Sequence, residues 1–426
     1  MPAMQKLRVT TEGTSSFYSL VPSLPWSLPL EEWPNELLAA LPRGISRHVV
    51  RFIQAKGEIF AVKEISERDA LHEYQMLRQL QSKELPTVSV AAVVAGREDE
   101  NGEELPAALV THHLQYSLPY RVLLSKHLSR GTLDRVLDSL VALLVRLHLS
   151  GFYWGDVSLS NTLFRRDAGT YAAYLVDAET GRFYDNISDR SREYDVSLGA
   201  MNIIGELMDL QAGGLVDEDF DPTIVGDYLE ERYRALWNDL TRSERIPADE
   251  IWRVGARADR LGQLGFDIGQ VDIESDEDGD FLRFAPRVVE AGHFQRLVKD
   301  LTGLEVQEKQ AKRIYTDILT YQQHKKLSKT PLRLVANAWM DRVYLPTISA
   351  IPDDLRAKLE PAQIFHEVLE HRWFMSEKAH HHVHTRKAVK DYIRTQLATR
   401  PDEQVVLPMP LTATADISDY LDSERN

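Results

Sequence analysis

Cysteine is absent from this chain of 426 residues, which excludes disulfides and thiolate metal sites and removes any argument for an oxidising compartment. Long apolar runs are missing as well. The most apolar stretch, around Leu133 to Leu147, is interrupted by Asp138 and Arg146 and is too short to cross a bilayer, so no membrane span is expected. The opening MPAMQKLRVTTEGTSSFYSL has no apolar core behind a basic end. No signal peptide is therefore expected, and a cytoplasmic location is. Nor is there a positive balance: the formal net charge of −15 argues against nucleic acid as the principal partner, because a polyanion calls for a basic footprint. A small anionic ligand is still compatible, since a few aimed donors and a divalent cation suffice to hold it.

What remains is ordinary for a globular protein, with 43% hydrophobic and 27% charged residues and length enough for two or more domains. The richest segment is GFYWGDVSLSNTLF, Gly151 to Phe164. It places Asp156 and Asn161 five residues apart at the end of an apolar helix whose Leu133, Val136, Leu137, Leu140, Leu144 and Leu147 recur at helical spacing. Two short apolar runs follow, Thr162 to Phe164 and Tyr171 to Val176. With the RRDAGT turn between them they read as a hairpin. Asp177 stands just beyond, in AYLVDAETG. Phosphoryl transfer needs one carboxylate to orient the attacking hydroxyl, and an amide and a second carboxylate to hold Mg²⁺ against the phosphates. Asp156, Asn161 and Asp177 offer that set.

Upstream, EIFAVKE at Glu58 to Glu64 alternates as a strand with Ile59, Ala61 and Lys63 on one face. Ser66 opens the helix ERDALHEYQMLRQLQ in the manner of a capping box. Its apolar face of Ala70, Leu77 and Leu80 includes Glu73. A carboxylate on an apolar face needs a cation, and Lys63 is the natural partner.

The order of these parts resembles the catalytic core of the protein-kinase-like superfamily, in which a V-A-I-K strand, a helical Glu, LHxxGxxHRDxxxxN and DFG follow one another. Here they stand as EIFAVKE, Glu73, LHLSGFYWGDVSLSN and DAE. The resemblance implies an α+β, bilobal fold with a small β-rich N-lobe and a helical C-lobe. It also implies ATP and Mg²⁺ as cofactors, with Asp156 as the catalytic carboxylate and Asn161 and Asp177 as metal ligands. Lys63 and Glu73 would address the phosphates, Ala61 would leave room for the adenine, and THHLQY after Val110 would be the hinge. REYDVSLGAMNIIGEL resembles the kinase helix whose buried Asp accepts hydrogen bonds from the catalytic-loop backbone, here Asp195.

Departures from the pattern narrow the expectation. LPRGISRHVVRF before the Lys63 strand holds only Gly44 where three glycines are usual, Gly155 replaces an Arg, Ser158 replaces a Lys, and no APE-like segment follows DAE. A Gly-Asp pair is similar to the aminoglycoside, choline and lipopolysaccharide-core (Kdo) sugar kinases. The expected partners are therefore a nucleotide and a small-molecule or glycan acceptor. The alternative is a pseudokinase whose C-terminal part recruits a protein partner.

The expected organisation is an extended Pro-rich segment at 1–41 that packs on the kinase-like unit, a kinase-like domain at 42–241, a linker with the acidic run VDIESDEDGD at 242–280, a helical domain at 281–400 and a tail at 401–426. The helical domain contains EVLEHRWFMSEKA and resembles the C-terminal domain of unknown function of an uncharacterised bacterial family. It is expected to serve acceptor or partner recognition and to stand apart from the phosphate chemistry. HEVLEH, with His366 and His371 five residues apart, does not put both on one helix face as a zinc hydrolase requires. HHHVH at His380 to His384 reads as an exposed polar turn, with a transition-metal site through His380 and His384 as the alternative.

Overall fold

The structure is a computed structural model that describes residues 7–11, 16–39, 48–55, 57–124, 130–250, 252–264, 266, 268–275, 281–288 and 292–404. The segment around Gly44 lies outside them. The first lobe is built on an antiparallel sheet in the order β1-β4-β5-β3-β2, comprising β1 (Arg8–Thr10), β2 (Val49–Ala55), β3 (Glu58–Ile65), β4 (Val90–Ala95) and β5 (Ala107–His112). Alternation divides β3 as the sequence predicts: Phe60 and Val62 turn into one apolar cluster with Ile53, Val94 and Val110, which leaves Ala61 and Lys63 on the opposite face. Helix α1 (Glu67–Ser82) packs there, capped by the Ser66 side chain, which accepts the Asp69 N–H at 3.2 Å.

The Pro-rich segment is not extended. It folds into short 3-10 turns at Ser16–Ser19, Val21–Ser23, Leu30–Glu32 and Asn35–Leu37, and lays Phe17, Trp26, Leu30 and Trp33 on the outer face of the sheet. Arg97, fully buried, fastens it by donating to Trp26 O at 3.1 Å, Leu28 O at 2.6 Å and Glu64 Oε1 at 2.7 Å. The segment is thus a covering layer of the first lobe. Prolines fix φ without imposing a repeat, so its apolar residues carry no periodicity to read.

Beyond β6 (Ser117–Pro119), helix α2 (Arg130–Leu149) supplies the core of the second lobe. The chain then reverses at Gly151, where φ is +81° and an added Cβ would lie 2.2 Å from Tyr184 O. Next come β7 (Phe152–Tyr153), the hairpin of β8 (Thr162–Asp167) and β9 (Thr170–Leu175), and β10 (Arg182–Phe183). Sheets β9-β8-β6 and β10-β7 frame the loop between them. Helices α3 (Asp189–Ala212) and α4 (Thr223–Thr241) complete the lobe. This is the bilobal kinase-like architecture.

The stretch expected to be a linker is structured instead. β11 (Glu244–Pro247), β12 (Ile268–Ser275) and β13 (Phe281–Val288) form an antiparallel sheet in the order β11-β13-β12, with α5 (Trp252–Gln263) between the first two. The charges around DEDGD mask the strand alternation on either side, and residues 276–280 themselves lie outside the described residues. Helices therefore begin later than residue 281, with α6 (His293–Thr302), followed by α7 (Glu308–His324), α8 (Leu332–Trp339), α9 (Pro361–Ala379) and α10 (Thr385–Thr395). The helices from α6 to α9 pack around Trp339, Ile314, Ile318 and Phe365, while α10 packs through Val389 and Tyr392 on Ile364 and Val368 of α9. His366 meets Arg313 at 3.0 Å whereas His371 meets Asp391 at 3.0 Å, so the two histidines of HEVLEH serve different partners.

Candidate active site

Strand β3 and helix α1 deliver Lys63 and Glu73 to the same point, and Lys63 Nζ donates to Glu73 Oε2 at 3.0 Å. The same ammonium donates to Asp177 Oδ2 at 2.6 Å and to Glu179 Oε2 at 3.1 Å. His48 Nε2 lies 3.1 Å from Glu179 as well. Burial alone would lower the Lys63 pKa, but the Glu73 and Asp177 carboxylates outweigh it and hold the ammonium charged. Glu73 is almost wholly buried. Burial first, and then Asp177, push its carboxyl from 4.5 up to about 8 against the pull of Lys63. Three carboxylates around one ammonium leave a surplus of negative charge.

The catalytic-type loop is fixed from below by one face of α3. Asp195, fully buried, accepts the N–H groups of Trp154 at 2.9 Å and Gly155 at 2.8 Å, together with His148 Nε2 at 3.1 Å. This is the arrangement the sequence predicts for it. Two further residues of α3 join: Asn202 donates to Asp156 Oδ1 at 3.3 Å and to Val157 O at 3.0 Å, while Glu206 accepts Leu159 N at 2.8 Å and Ser160 N at 2.7 Å. Asn202 lies 7 residues beyond Asp195 and Glu206 another 4 beyond Asn202, steps that return each to the same helix face, a signal the sequence reading passed over.

Asp156 and Asn161 meet directly, Nδ2 donating to Oδ2 at 3.0 Å. Asp177 is tied to the loop by the buried Trp154 indole, which donates to its carbonyl at 2.9 Å. Its own Oδ1 accepts Glu179 N at 3.0 Å. The structure therefore brings Lys63, Glu73, Asp177 and Glu179 together, and beside them Asp156 and Asn161. Glu179 was missed, though the third letter of DAE is the signal. Ala61 lies in register with Thr111 of β5, the first residue of the hinge segment. Within that segment His113 N is already donated to Ile59 O at 2.8 Å, and Ser117 Oγ donates to Leu114 O at 2.6 Å.

Among the described residues, Glu73, Asp177 and Glu179 form the group of side chains whose ligand oxygens lie within 4.8 Å of one another. An all-oxygen, carboxylate-rich donor set fits a hard cation such as Mg²⁺. No helix of the described residues is long and apolar enough to cross a membrane.

Residues 38–190 match the model of the phosphotransferase enzyme family (APH), and residues 235–397 match that of a domain of unknown function (DUF4032). No curated protein matches the chain. Among solved structures, one described as WaaP in complex with acyl carrier protein is 15% identical with a TM-score of 0.35, covering 60% of this chain and 99% of that one. The match from residue 38 to residue 190 embraces Lys63, Glu73, Asp156, Asn161, Asp177 and Glu179, so the likeness to the phosphotransferase enzyme family falls on the part of the chain that carries the candidate site.

Proposed function

We propose that the protein is a cytoplasmic, ATP-dependent phosphotransferase that moves the γ-phosphoryl group of Mg·ATP to a hydroxyl of a small molecule or glycan. The observation that carries this reading is the convergence of Lys63, Glu73, Asp177 and Glu179 beside the Asp156 and Asn161 pair. Lys63, oriented by Glu73, addresses the α- and β-phosphates. Asp156 accepts the proton of the acceptor hydroxyl as its oxygen bonds to phosphorus and the bond to the β-phosphate oxygen breaks, releasing ADP. Asn161 and Asp177, with Glu179 as a third candidate, would hold Mg²⁺, which supplies charge neutralisation at the phosphates. Ala61 leaves space for the adenine.

Two local features favour a small acceptor over a peptide. Gly155 has φ +79°, and a Cβ there would lie 3.0 Å from the Tyr153 ring, so the backbone itself keeps the usual Arg out. Ser158 is buried and accepts Asn161 N at 3.1 Å, working inside the loop where protein kinases present a cation to the phosphate.

Melting curves with ATP and Mg²⁺ test the reading. A ligand at 100 times its dissociation constant stabilises by about 2.7 kcal/mol, a shift of a few degrees. Asp177→Asn should lose the metal-dependent part of that shift. Asp156→Asn should keep the shift and lose turnover. Absence of any shift with every nucleoside triphosphate and divalent metal would end the enzyme reading, and a shift without phosphate transfer to any hydroxyl acceptor would leave the pseudokinase.

A further inference from the structure

The β8–β9 hairpin carries the two metal-ligand candidates at its roots. Asn161 directly precedes Thr162, and Asp177 follows Leu175 by two residues. Thr162 pairs with Leu175 in register, and Val176 N donates to Asn161 O at 3.0 Å, so the roots move together. The tip of the hairpin is held from outside the kinase-like unit. Asp167, buried, accepts Lys309 N at 3.2 Å and Gln310 N at 2.8 Å, the free N–H groups of the first turn of α7. Lys309 Nζ donates to Thr170 Oγ1 at 2.9 Å, Ala168 N to Gln363 Oε1 at 3.2 Å, and Gln310 Nε2 to Arg166 O at 3.1 Å.

Charge pairs reinforce these contacts. Arg166 grips Glu403 through Nε at 2.8 Å and Nη2 at 2.7 Å, and Arg165 pairs with Glu360 at 2.6 Å. Glu403 is buried, and the next residue, Gln404, accepts Tyr116 N at 3.2 Å with its carbonyl. Tyr116 belongs to the segment read as the hinge. One stretch of chain after α10 thus touches both the hairpin and the hinge.

We propose that the C-terminal domain is a positioning element for the phosphate chemistry, with Asp167 and the Arg166–Glu403 pair as positioning residues that fix the hairpin and, through its roots, Asn161 and Asp177. The physical need is clear. A two-stranded hairpin is marginal by itself, whereas Mg²⁺ tolerates little departure from its coordination geometry. Buried charges at the tip are tolerable only in the one arrangement that pairs them. The domain is therefore coupled to the metal site, against the expectation that it stands apart from the phosphate chemistry. This rests on the phosphotransferase reading for its functional consequence, but not for the clamp itself.

Full-length Glu403→Gln and Asp167→Asn, both near-isosteric, test it beside Val389→Ala, which loosens the core formed with Ile364 and Tyr392 without touching the hairpin. Amide hydrogen exchange over residues 162–175 without ligand reads the clamp, and the Mg²⁺ concentration giving half of the ATP-induced melting shift reads the metal site. Both hairpin variants should speed exchange and raise the Mg²⁺ midpoint by ~10-fold, the scale typical of a lost supporting contact. Stabilisation by ADP in chelator should stay as in wild type, and Val389→Ala should change neither readout. Glu403→Gln carries the test alone if Asp167→Asn does not fold. Unchanged exchange and Mg²⁺ midpoint in a folded variant, or equal changes in Val389→Ala, would overturn the proposal. Faster exchange in a protein whose wild type shows no nucleotide shift would keep the clamp and reject the phosphotransferase reading.

Discussion

Replacing Glu73 by Gln should stabilise the metal-free protein increasingly as the pH rises. In the native state burial and Asp177 hold the Glu73 proton up to about pH 8, because Lys63 is already shared with Asp177 and Glu179. The unfolded chain releases that proton near pH 4.5, so Glu73 supports the fold fully below 4.5 and loses its contribution as the pH climbs to 8. Each pH unit in that window costs about 1.4 kcal/mol, and the whole window about 5 kcal/mol. Gln carries no proton to lose, yet keeps an oxygen for the Lys63 ammonium. Urea denaturation in chelator from pH 5 to pH 8, with matching slopes m, gives the difference between variant and wild type directly. That difference should rise by about 1.4 kcal/mol per unit and level off near pH 8. Burial holds His113 and His366 near 4 in both proteins, so their titration cancels. Mg²⁺ at saturation should flatten the wild-type slope, since a cation among the three carboxylates favours the ionised form. A difference that stays level from pH 5 to pH 8 would refute the reasoning and make Glu73 and Lys63 a simple ion pair.

Asp195→Ala leaves the N–H groups of Trp154 and Gly155 without their acceptor, which at about 1–3 kcal/mol each should cost about 2–6 kcal/mol in a chemical denaturation and depress turnover; a loss below 1 kcal/mol would show that the loop finds other acceptors. Gly151→Ala meets the Tyr184 carbonyl at 2.2 Å, whereas Gly102→Ala, at a similarly positive φ of +85°, meets nothing within 4 Å. Both pay the left-handed backbone cost of about 1–2 kcal/mol, so Gly151→Ala should be clearly the more destabilising in paired melting curves, and equal losses would mean that the chain near Tyr184 yields freely.

Chemistry that is local in the chain was legible before any fold was known. Asp156 and Asn161 sit five residues apart in one loop, Lys63 lies on a strand whose alternation is visible, and Glu73 stands out as a charge on an apolar helix face. Each is a statement about one element, and one element has one periodicity. The hairpin beyond Asn161, bounded by RRDAGT, was legible for the same reason. Asp195 was read from its helix, but Asn202 and Glu206 were not. Their use depends on which face of α3 meets the loop, and packing decides that. Only the tertiary structure put Glu179 against Lys63, folded the Pro-rich segment into 3-10 turns, turned the expected linker into strands, and set Asp167 on the first turn of α7 142 residues away. Pairings of that kind join separate elements by burying polar groups where a partner happens to arrive, and no repeat within either element announces the other.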